Sequence, residues 1–94
     1  MMSSELRYLA RSYFHQDYDL ESGTPSQVVE SFRRDESDAK VDALRHEIER
    51  VLAAGMSEDM LAVLWIDQAG ASCDPRDDGM EISRWFETVV EALA

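Results

Sequence analysis

The chain has 94 residues, 45% of them hydrophobic and 31% charged, which suits one small core and excludes a multidomain enzyme. A single cysteine, Cys73, excludes an internal disulfide, and no apolar run reaches the ~18–20 residues a membrane span needs. Twenty Asp and Glu against nine Lys and Arg leave a net charge of −11. Such a surface repels phosphate backbones, so no nucleic acid is expected. It either attracts a basic protein partner or merely keeps the domain soluble, and the apolar runs are too short to expect a membrane. The expected organisation is one domain over residues 1–94. No secretory signal is visible, and lone-cysteine usage fits a reducing cytoplasm.

Helix signals recur along the chain. Ser3 or Ser4 can cap a first helix carrying Leu6, Leu9, Ala10 and Tyr13 at 3–4 spacing. Leu20-Glu21-Ser22-Gly23 interrupts it, and Thr24-Pro25 reopens a helix, with Gln27 completing a capping-box pattern. Val28, Val29 and Phe32 are its apolar stripe. Ser37 or Asp38 starts a third helix, striped by Val41, Leu44, Ile48, Val51 and Leu52 and closed by Gly55. Asp42–Arg45 and Arg45–Glu49 can pair on its wet side.

Ser57 opens a fourth helix with Glu58 and Asp59 in its first turn, where carboxylates suit the positive dipole end. Met60, Leu61, Val63, Leu64, Trp65 and Ile66 make it apolar on more than one side, which predicts a central position up to Gly70. A polar loop, residues 71–79, precedes a last helix with Ile82, Trp85, Phe86, Val89, Val90 and Leu93 in one stripe. No segment alternates with period two. The fold class predicted is all-α, a compact bundle of four to five short helices.

Catalytic and metal-binding patterns do not survive inspection. Asp17-Tyr18-Asp19-Leu20-Glu21 suggests a calcium loop, but Ser22 and Val28 occupy the positions that need Gly and a carboxylate. His15, His46 and Cys73 lack zinc-ligand spacing. Cys73 with a His and an Asp could form a nucleophilic set, yet no supporting context surrounds it. The expectation is therefore no catalytic residues, no metal and no cofactor.

Unpaired acid is the more suggestive feature. Asp17, Asp19 and Glu21 cluster after the first helix with no base among them, flanked by Tyr13, Phe14 and Tyr18. Asp74, Asp77 and Asp78 cluster before the last helix against Arg76. Acidic loops with exposed aromatics suit recognition of a basic surface. Alternatively, Phe14 and Tyr18 pack beneath the loop while the acids face water. The candidate partner-binding set is Asp17, Tyr18, Asp19, Glu21, Asp74, Asp77 and Asp78.

The run Tyr13-Phe14-His15-Gln16-Asp17-Tyr18-Asp19-Leu20 resembles a signature of bacterial contact-dependent growth inhibition immunity proteins. Similarity continues through Val28 to Asp35, the Leu44–Ile48–Leu52 helix, Gly55-Met56-Ser57, the Asp74–Gly79 loop, and Trp85-Phe86. The capped, striped helices lead us to expect a monomer when free, and the resemblance implies a cytoplasmic, non-enzymatic protein that binds and neutralises a cognate toxin. It implies that the toxin is a nuclease, blocked at its active site or at an adjacent basic surface. His15, Gln16 and Asp17 either hold their loop in shape or meet the toxin. The alternative function is a helical adaptor or assembly module acting through self-association.

Overall fold

A computed structural model describes residues 4–14 and 24–94. Among the described residues, five helices carry the fold: α1 (Ser4–Tyr13), α2 (Pro25–Asp35), α3 (Asp38–Ala53), α4 (Glu58–Ala62) and α5 (Ile82–Leu93). A π-helical segment, Val63–Gln68, extends α4, and a 3₁₀ turn, Pro75–Asp78, precedes α5. No strand occurs among the described residues, and the bundle is all-α as the periodicity predicts.

The helix starts follow the local chemistry. Thr24 Oγ1 accepts from the Gln27 amide while Gln27 Oε1 accepts from the Thr24 amide, a complete capping box with Pro25 in the first turn. Ser37 and Ser57 cap α3 and α4 by accepting from the Lys40 and Met60 amides. Gly55 and Gly70 follow α3 and the π segment with φ of 70° and 81°, a left-handed turn that a Cβ would strain.

Two further helix starts are satisfied from a distance. The Leu6 amide donates to Glu47 Oε2 on α3 (2.8 Å), and the Ile82 amide donates to Glu58 Oε1 on α4 (2.7 Å). Glu58 also accepts from the Ser83 amide (3.3 Å). These carboxylates serve orphan donors of helices to which they do not belong, tying α1 to α3 and α5 to α4.

One contiguous core runs from Leu6 on α1 to Leu93 on α5. α5 packs against α2, α3 and α4, while α1 packs against α2, α3 and the π segment. The stripes of α2 and α5 are buried as read, with Val90 half-buried. On α3, Val41, Leu44 and Ile48 are buried, and Val51 and Leu52 are half-buried. Arg45 pairs with Asp42 at 3.5 Å, whereas the expected Arg45–Glu49 pair does not form among the described residues.

The fourth helix departs from expectation in two ways. It leaves the α form after Ala62, the Ala69 amide bonding to Leu64 O (2.9 Å) five residues back. Leu61, Trp65 and Ala69 are all buried at intervals of four. A strict α-helix rotates about 40° between such positions, and the wider π turn absorbs part of that excess. The segment is also not enclosed all round. Met60 and Val63 face solvent, so its apolar excess on a second side is a surface feature.

Candidate functional site

Residues 71–80 lie between the π segment and α5, and their shape comes from short-range chemistry. Asp74 caps the 3₁₀ turn: its Oδ1 accepts from the Arg76 amide (3.0 Å) and Nε (2.9 Å), and its Oδ2 from Arg76 Nη2 (2.7 Å). Arg76 therefore holds the Asp74 carboxyl below the usual carboxylate range. Gly79, at φ 79°, closes the turn. Asp77 and Asp78 are left exposed on its surface.

Of the predicted contact residues, the structure thus presents Asp77 and Asp78 to solvent and engages Asp74 in capping. Asp17, Tyr18, Asp19 and Glu21 lie outside the described residues, as do His15 and Gln16. The flanks of that segment can be placed. At its N-terminal side, Phe14 O accepts from the Ser72 amide (2.9 Å). At its C-terminal side, Pro25 and Ser26 line a cleft of about 150 Å³ with Cys73, Pro75, Asp78, Met80, Trp85 and Thr88. Both flanks of the first acidic stretch therefore adjoin the segment that carries the second.

Phe14 is buried, as the packing alternative held, and not an exposed recognition aromatic. Its ring meets Trp65 and Trp85 edge-on, with centroids 5.5 Å away in each case. Trp65 Nε1 donates to Cys73 O (2.7 Å), which fastens the π segment to the 71–80 loop. Trp85 Nε1 is buried without a hydrogen-bond partner among the described residues. Cys73 is itself buried, in the wall of that cleft. Among the described residues, no three His, Cys, Asp or Glu side chains are grouped to hold a metal.

Tyr13 does not point freely to solvent either. Tyr13 Oη donates to Glu36 Oε2 at 2.6 Å, and Tyr8 Oη donates to the same oxygen at 2.8 Å. The two phenols lower the Glu36 pKa, while burial first and the Glu36 bond second raise that of Tyr13. Lys40 sits 4.0 Å above the Tyr8 ring and pairs with Glu5 at 3.0 Å. This polar cluster joins α1 to the α2–α3 junction. Sequence reasoning missed it because its members are spread along the chain from Glu5 to Lys40.

The comparisons agree with this architecture. A family model described as CdiI immunity protein matches residues 3–93. The chain belongs to the CdiI immunity protein family. No curated protein sequence matches it. A chain in the crystal structure of a CdiA-CT/CdiI complex from Y. kristensenii 33638 superposes with TM-score 0.93 and is 20% identical, covering 98% of each chain. At that identity the likeness is one of fold. No helix among the described residues is long and apolar enough to cross a membrane.

Proposed function

We propose that this CdiI-family chain is a non-enzymatic, cytoplasmic immunity protein, monomeric when free, that binds and neutralises a cognate CdiA-CT toxin domain. Family membership across residues 3–93 is the observation that carries the reading. The net charge of −11 supports a basic toxin surface, such as a nuclease substrate site, as the target. Asp77 and Asp78, exposed on a turn braced by Asp74 and Arg76, suit the steering of that encounter. Asp17, Tyr18, Asp19 and Glu21 belong to the same proposed surface on their sequence pattern. Blockade follows from covering the toxin's active site or the basic surface beside it.

The test is co-production with the CdiA-CT domain encoded alongside this chain. Growth restored in cells making both proteins, with a purified complex of the two, is the expected outcome. Continued growth arrest despite folded protein refutes immunity against that toxin. Nuclease assays on the free toxin then establish its chemistry.

A further inference from the structure

Met60 and Val63 are the large apolar side chains that stand open to water among the described residues, 58% and 44% exposed. They lie three positions apart, across the junction of α4 and its π extension. With Met56 and Leu64 they line a shallow hollow of about 280 Å³, bordered by Asp59 and Gln68. The other large apolar residues among those described are buried or half-buried, so leaving this pair wet forgoes stabilisation that contact would supply.

The hollow has an acidic neighbour. Glu58, next to Asp59, lines a second depression with Arg76, Gly79, Met80 and Glu81. Consecutive residues of the first turn of α4 thus border the apolar hollow and the depression at the turn that carries Asp77 and Asp78. An apolar centre with a charged margin is the usual anatomy of a binding surface. Its charge also selects the occupant. A second copy would set −11 against −11, whereas a basic partner is attracted.

We propose that Met56, Met60, Val63 and Leu64 form the desolvated anchor for an apolar knob on a basic toxin surface, with Asp59, Asp77 and Asp78 meeting the cations around it. This deepens the immunity reading and rests on it. Anchor and margin then act on different rates. Loss of a desolvated apolar contact speeds dissociation, and loss of margin charge slows association.

The experiment compares wild type, Met60→Ser/Val63→Ser and Asp77→Lys/Asp78→Lys for binding kinetics to the purified CdiA-CT domain. Circular dichroism checks each fold. The Met60→Ser/Val63→Ser protein should dissociate about tenfold faster with an association rate within about twofold of wild type. The aspartate variant should show the reverse pattern. Val63→Thr, nearly isosteric with valine, should give a smaller rise in dissociation and covers the case in which the double variant does not fold. Wild-type dissociation rates in both anchor variants overturn the anchor while leaving toxin binding intact. A concentration-dependent wild-type dimer in sedimentation, lost in the anchor variants, overturns it in favour of a second copy. Absence of toxin binding by wild type refutes the immunity reading itself, and the anchor with it.

Discussion

Trp65→Phe and Trp85→Phe remove the same atoms from two neighbouring core indoles and should nevertheless differ in cost. The rings lie 6.0 Å apart, and the residues are 0% and 3% exposed, so both substitutions leave comparable voids. That common loss is roughly 1–2 kcal/mol, less than the ~3–5 kcal/mol of truncating Trp to Ala. Trp65→Phe also strips a donor at 2.7 Å from the carbonyl of buried Cys73, which adds about 1–3 kcal/mol. Trp85→Phe instead deletes a buried N–H that has no acceptor among the described residues, and recovers a penalty of similar size. Trp65→Phe should therefore be the more destabilising by about 2 kcal/mol or more, or ~8–16 °C in Tm for a domain of this size. Urea titration with calorimetry measures both. Losses equal within ~0.5 kcal/mol would refute the assignment of different hydrogen-bonding states to the two indoles.

Glu58 and Glu47 both reach across to another helix, yet their pH responses should be opposite in sign. Hydrogen bonds from Ser83, the leading cause, and Ile82 lower the folded pKa of Glu58, so its stabilisation is present above the ordinary value of 4.5 and fades as pH falls through the depressed value. Glu58→Gln should therefore weaken the protein at pH 7 and approach wild type in acid, as read from pH-dependent denaturation. Burial raises the folded pKa of Glu47 despite the Leu6 bond, so its favourable linkage is present below 4.5 and is lost as pH rises through the raised value. Glu47→Gln keeps an acceptor for Leu6 and sheds the buried charge, so the same titration should show it gaining on wild type between acid and pH 7. For Asp77→Lys/Asp78→Lys, the association rate with the toxin should fall at low salt and converge on wild type near 1 M, where the Debye length is ~3 Å. Rates that coincide at every ionic strength would exclude steering through this turn.

Much of the fold was legible because its determinants are local. The Thr24–Gln27 capping box, the Ser37 and Ser57 caps and the Ile82–Leu93 stripe each depend on residues a turn or two apart. The exposed turn at Asp77 and Asp78 was legible for the same reason, since Asp74, Pro75 and Gly79 specify it within one short segment. The net charge and the exclusions drawn from it needed no structure at all.

Tertiary packing decided what local spacing could not. Whether Phe14 faced a partner or the core depended on Trp65 and Trp85, which approach it from distant parts of the chain. Nothing local marks Glu36 or Glu47, and Glu58 is marked only as a first-turn acid of its own helix, until other helices bring phenols or orphan amides to them. The fourth helix shows the limit most clearly. Its sequence is apolar on two sides, and burial of Leu61, Trp65 and Ala69 through a π turn takes up one of them. No neighbouring helix among the described residues covers Met60 and Val63, because a chain of 94 residues has too few elements to enclose a helix on every side.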